Sequence, residues 1–112
     1  MEQITKDDSF VNYLIEIGEI TEEEAKNHPK KNVLTKAMGT TSDIEVIVNT
    51  LNIKDKDVFL FCSDGLTNMV PDEEIFKIVK ENSPEEARDM LLDLALKNGG
   101  MDNITFILVF NE

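Results

Sequence analysis

The sequence predicts an α+β domain, on three observations. Two apolar runs, Val58-Phe59-Leu60-Phe61 and Ile104 to Phe110, have the length and residue types of strands. Between them lie two segments with helical apolar spacing, one opened by the strong start signal Ser83-Pro84-Glu85-Glu86. Each apolar run also abuts a glycine-bearing turn with a carboxylate. Asp64 stands in Cys62-Ser63-Asp64-Gly65-Leu66, directly after the first run, and Asp102 in Gly99-Gly100-Met101-Asp102-Asn103, directly before the second.

Residues 3 to 7 read as the end of a strand. Ser9 is placed to cap a helix with the face Phe10, Val11, Leu14 and Ile17, which Gly18 ends. Thr21 and Glu24 make a capping box for a short second helix that stops before Pro29. Residues 30 to 42, polar around Val33, Leu34 and Met38, read as an irregular connection. Ile44, Val46 and Val48 alternate with Glu45, Ile47 and Asn49, which predicts a strand reaching to about Ile53. Lys54-Asp55-Lys56-Asp57 is then a charged turn, and the 44–53 and 58–62 runs are expected to pair as an antiparallel hairpin.

Val58 to Phe61 and Ile104 to Phe110 are apolar at nearly every position, as in strands buried on both faces. Cys62 reads as a small core residue. The helix from Asp72 to about Glu81 should turn Ile75, Phe76, Ile78 and Val79 inward, with Asp72 as its cap. In the helix after Ser83 the apolar stripe is Ala87, Met90, Leu91, Leu94 and Ala95. Arg88 falls on the opposite face as a solvated charge, and Gly99 closes the helix with a left-handed turn.

A chain of 112 residues has room for one domain, and 41% hydrophobic content suits a globular one. The net charge of −12 argues against nucleic acid and anionic membrane surfaces as partners. The single cysteine excludes an internal disulfide and fits a reducing cytoplasm. No stretch approaches the roughly twenty apolar residues of a membrane span, and the N-terminus lacks the pattern of a signal peptide.

Two carboxylates at strand ends can converge on a hard divalent cation, which takes oxygen ligands. For either Asp alone, a turn cap is the commoner role; the two together point past it. Asp55-Lys56-Asp57 lacks the glycine and distal Glu of a calcium loop. Ser63 has no nucleophile-elbow context. His28, the only histidine, suits surface or loop packing before Pro29.

Ser63-Asp64-Gly65-Leu66-Thr67-Asn68-Met69-Val70, then Asp72-Glu73-Glu74-Ile75, resembles the metal-dependent serine/threonine protein phosphatases of the 2C (PPM) family. So does Gly99-Gly100-Met101-Asp102-Asn103-Ile104-Thr105. Gln3 to Ser9 is similar to the segment leading into that family's flap. Gly18 to Ala25 and His28 to Gly39 are similar to the flap of bacterial members. The match runs in register along nearly the whole chain and covers only the C-terminal half of such an enzyme. The N-terminal half's phosphate-gripping Arg, its metal-bridging Asp and its general-acid His have no counterpart here. Met1 precedes a segment that the resemblance places in mid-domain.

The resemblance implies the C-terminal portion of an α-β-β-α sandwich with antiparallel strands. Residues 1–112 would form a single partial domain, with a flap-like part over 9–41 and a strand-strand-helix-helix-strand half over 43–112. It implies metal-dependent hydrolysis of phospho-Ser and phospho-Thr in the whole protein, on phosphoproteins made by a serine/threonine kinase. Asp64 and Asp102 would ligate Mn2+ or Mg2+ in a two-metal site, with Gly65 and Asn103 supporting them. The chain alone would bind metal weakly, be inactive and self-associate through unpaired strand edges. The alternative is a non-catalytic acidic interaction module that keeps the half-fold.

Overall fold

Strand β1, Val58–Cys62, pairs antiparallel with β2, Phe106–Phe110, in the register Val58–Phe110, Leu60–Leu108 and Cys62–Phe106. They form a two-stranded sheet in the computed structural model, which describes residues 1–39, 42–43 and 45–112. Directly after β1 comes α3, Asp64–Thr67, a single helical turn, followed by α4, Asp72–Glu81, and α5, Pro84–Lys97. Before them lie α1, Phe10–Glu16, and α2, Glu22–Lys26. The class is α+β. The chain parts into two compact units, Glu2–Thr50 and Leu51–Glu112, the second joined by Met1.

In the C-terminal unit the core comprises Leu66, Val70, Ile75, Ile78, Ala87, Leu91 and Ala95. Leu60, Phe106 and Leu108, which share one face of the sheet, pack against it. The α5 start forms as the sequence predicts: Ser83 Oγ accepts from Glu86 N at 3.2 Å and Pro84 opens the helix. Its stripe buries Ala87, Leu91 and Ala95, while Met90 stays largely exposed. At its C-terminal end Gly99 (φ +132°) and Gly100 (φ +51°) carry the chain out through positive φ, which costs glycine little. In α4 the cap is Pro71 rather than Asp72, because the Pro71 carbonyl already accepts from Glu74 N and Ile75 N. Phe76 is 47% exposed rather than inward; Ile75, Ile78 and Val79 complete the buried stripe, and Lys80 lies over the Phe76 ring.

The strand expected over 44–53 does not form. Ile44 lies outside the described residues, and 45–53 are irregular and exposed. Period-two patterning marks a segment fit for a sheet without supplying the neighbouring strand that makes it one. The partner of β1 is therefore β2, not a hairpin neighbour. Double-sided burial fails for the same reason: with two strands among the described residues, Phe61 remains 61% exposed and Ile107 60%. Cys62, at the exposed end of β1, is a surface residue rather than a core one. The charged turn does close the sheet's far end. Lys54 N donates to Asp57 Oδ2, while Asn111 exchanges backbone bonds with Lys56 and Asp57 and donates from Nδ2 to Lys54 O at 2.7 Å.

The N-terminal unit rests on helix caps and on backbone bonds that tie residues 8–10 to 33–35. Ser9 caps α1 through Asn12 N, and Thr21 and Glu24 form the capping box of α2. Residues 3 to 7 make no strand; the extended contact is a bridge between Ser9 and Leu34. Val11 is buried on α1 and Ala25 on α2, while Ile17 of the expected apolar face is half exposed. His28 packs edge-on to Phe10 and accepts from Lys30 N at Nδ1, a loop-packing role. Of the expected irregular connection and flap, residues 40 and 41 lie outside the described residues.

Candidate metal centre

The two carboxylate-bearing turns meet at the same end of the sheet. β1 ends at Cys62 opposite Phe106, so the residues after one strand lie beside those before the other. Ser63 joins them. Its backbone N donates to Thr105 O at 2.9 Å, its Oγ accepts from Thr105 N at 3.1 Å, and that hydroxyl lies 3.3 Å from Asn103 O. Sequence reasoning passed over Ser63 after rejecting it as a nucleophile. Its signal was its position between a strand end and a carboxylate, where a hydroxyl can bond across the turn.

Gly65 brings the turns closer still. A Cβ at this position would collide with the Asn103 carbonyl oxygen and lie 2.9 Å from its carbon. The glycine is therefore required for backbone approach, not for a sharp turn: Asp64, Gly65 and Leu66 are helical, and Gly65 has no positive φ. Leu66 and Val70, both fully buried, anchor this turn in the core. On the opposing loop, Asp102 Oδ1 accepts from Asn103 N at 2.7 Å. Asn98 Nδ2 donates to Met69 O at 2.8 Å, fastening the end of α5 to the segment after α3. Asp64, Asp102 and Asn103 are all exposed.

The donor chemistry suits a hard cation in part. Two exposed carboxylates on anchored, mutually bonded turns are oxygen ligands of the kind Mg2+ and Mn2+ take. Among the described residues, no group of three or more His, Cys, Asp or Glu side chains is placed to hold a metal. Six-coordinate ions of this kind draw their remaining oxygens from water, substrate or further carboxylates.

The chain is 44% identical over 110 residues to the serine/threonine phosphatase Stp of Listeria innocua, covering 97% of this chain and 44% of the relative. The S. agalactiae serine/threonine phosphatase structure superposes with a TM-score of 0.90 at 37% identity, over 97% of this chain and 46% of that one. The chain is similar to serine/threonine phosphatases of the protein phosphatase 2C type. It matches the C-terminal half of the family's bacterial members and spans less than half the length of these relatives. The catalytic domain of another member, PstP, is 37% identical with a TM-score of 0.80, covering 97% of this chain and 44% of that one, and was solved with two manganese ions. No family model matches the chain. No helix among the described residues is long and apolar enough to cross a membrane.

Proposed function

We propose that this chain is the C-terminal part of a metal-dependent protein serine/threonine phosphatase. The observation that carries the reading is the junction at Gly65 and Ser63, which holds the Asp64 and Asp102 turns together in a chain that matches phosphatases along 97% of its length. Asp64 and Asp102 contribute anionic oxygens to one divalent ion, Mn2+ or Mg2+. Gly65 lets the backbones approach, and Asn103 steadies Asp102 through its backbone N–H. When bound, such a metal pair acidifies a water and neutralises charge on the phosphoryl oxygens.

Phosphoproteins are the substrates on this reading, phosphorylated by a cognate serine/threonine kinase in the cytoplasm. The isolated chain, with two carboxylate ligands and no arginine beside them, binds metal weakly and turns over little. Residues 9–41 act as a flap that governs access. Asp64→Ala and Asp102→Ala in the complete phosphatase should each lower manganese-dependent hydrolysis of para-nitrophenyl phosphate by about two orders of magnitude or more. Near-normal turnover in both variants sinks the assignment.

A further inference from the structure

Asn98, at the C-terminal cap of α5, is a tether. Its Nδ2 donates to Met69 O at 2.8 Å. That bond fastens the start of the loop bearing Asp102 to the segment that follows Asp64, while the bonds of Ser63 to Thr105 fasten the far end of the loop. Of the asparagines in the sequence, Asn98 alone precedes a glycine. With no Cβ on the following residue, its backbone nitrogen reaches the asparagine side-chain carbon without a clash. Asn98 and Gly99 are both exposed, so water and base have access to them.

We propose that Asn98 is a site of spontaneous deamidation, held back by its bond to Met69 and releasing the Asp102 loop once it reacts. The Gly99 nitrogen loses its proton and bonds to the Asn98 side-chain carbon. The bond from that carbon to Nδ2 breaks, and the nitrogen leaves as ammonia, carrying the proton. Water then opens the cyclic imide at either carbonyl: its hydroxyl joins the carbonyl carbon and its proton returns to the Gly99 nitrogen. Opening at the side-chain carbonyl leaves an aspartate. Opening at the backbone carbonyl leaves an isoaspartate, which puts an extra methylene into the main chain. Water is the sole co-reactant, and nothing is oxidised or reduced.

The fold opposes the first step. Gly99 N donates to Leu96 O at 3.2 Å, Asn98 holds a near-helical ψ of 5°, and its Nδ2 is engaged by Met69 O. Ring closure undoes all three, so reaction runs through molecules in which the last turn of α5 has frayed. The product cannot restore the tether. A carboxylate has no proton to donate to Met69 O, it repels that carbonyl oxygen, and its charge falls at the negative end of the helix dipole. It also adds to a chain that already carries −12. The loop so released bears Asp102. That consequence for the metal centre rests on the phosphatase reading, whereas the modification itself does not.

The experiment incubates the chain in mildly alkaline water enriched in heavy oxygen, once folded and once in urea, and maps its peptides by mass spectrometry. In urea, position 98 should convert ahead of every other asparagine and take up the heavy isotope. In the folded chain, conversion should be at least about tenfold slower. Asn98→Gln should not convert, since its ring would be one atom larger and closes far more slowly. In Asn98→Asp, the amides of Gly99 and Gly100, which bond back to Leu96 and Ala95, should exchange at least about tenfold faster. Another asparagine reacting first in urea, equal rates in folded and unfolded chains, or unchanged exchange in Asn98→Asp would each overturn the proposal. In the complete phosphatase, Asn98→Asp should raise the manganese concentration for half-maximal turnover about tenfold. An unchanged requirement would overturn the link to the metal centre, and a complete protein that has no turnover with Asn98 intact would refute the phosphatase reading alone.

Discussion

In the unit Leu51–Glu112, seven buried apolar side chains from α3, α4, α5 and the segment after α3 make one continuous core. In the unit Glu2–Thr50, apolar burial among the described residues comes down to Val11 and Ala25, and order depends on caps, a bridge between Ser9 and Leu34, and turn bonds. Both units are helical, so helix content does not separate them. The difference lies in how much apolar surface each unit buries. Core contacts share one buried cluster and are lost together, whereas caps, turn bonds and bridge bonds contribute about 1 kcal/mol each and fail one at a time. The candidate metal ligands sit on the first kind of structure; residues 9–39 are of the second.

That contrast is most exposed to Leu91→Ala. Leu91 is fully buried at the centre of the core, and its truncation should cost about 3–4 kcal/mol. Val11→Ala removes two methyl groups at about 0.8 kcal/mol each from a side chain with far fewer buried neighbours. Urea unfolding followed by circular dichroism should separate the two by at least a factor of two in lost stability. Equal losses would show that the units share one cooperative core.

Gly65→Ala comes next. The added Cβ has no room against the Asn103 carbonyl, so the junction must open, at about 2–3 kcal/mol. Gly18→Ala meets no atom within 4 Å and bears only the strain of φ +81°, about 1 kcal/mol. Thr21→Ala, which breaks the capping box of α2, should cost as little, about 1 kcal/mol. It should quicken amide exchange in residues 22–26 and leave α5 and both strands unchanged. Faster exchange in α5 would show that the α2 cap supports more than its own unit.

What could be read in the sequence divides along the same line. The caps at Ser9, Thr21 and Ser83, the helix over Asp72–Glu81 and the glycine exit from α5 are encoded within a few residues of where they act. The partner of Val58–Cys62 is not encoded locally, and the nearest strand-like segment was the wrong one. Burial of Phe61, Cys62 and Phe76 likewise depends on which surfaces arrive from elsewhere. The site was half legible. Strand-end position singled out Asp64 and Asp102, but the reason for Gly65 lies in Asn103, far along the chain. The bonds of Ser63 to Thr105 are equally remote. Neither contact has a signature that spacing alone reveals.

The clamps at the two ends of the β1–β2 ladder act as a proofreading device. A slip of β2 by one residue would turn Ile107 and Val109 to the core in place of Phe106 and Leu108, and the loss of fitted packing would oppose it. A slip by two residues leaves every side chain on its proper face, so burial hardly registers the error. Yet it would carry Asp102 about 7 Å along the strand axis, well beyond the roughly 2.0–2.1 Å of an oxygen–Mg2+ bond. The discriminating contacts are the bonds of Asn111 to Lys54, Lys56 and Asp57 at one end and of Ser63 to Thr105 at the other, all of which a two-residue slip breaks. Core packing chooses the face of the sheet, and these few polar bonds choose the increment, so that a folding choice made some distance from the carboxylates calibrates the gap between them.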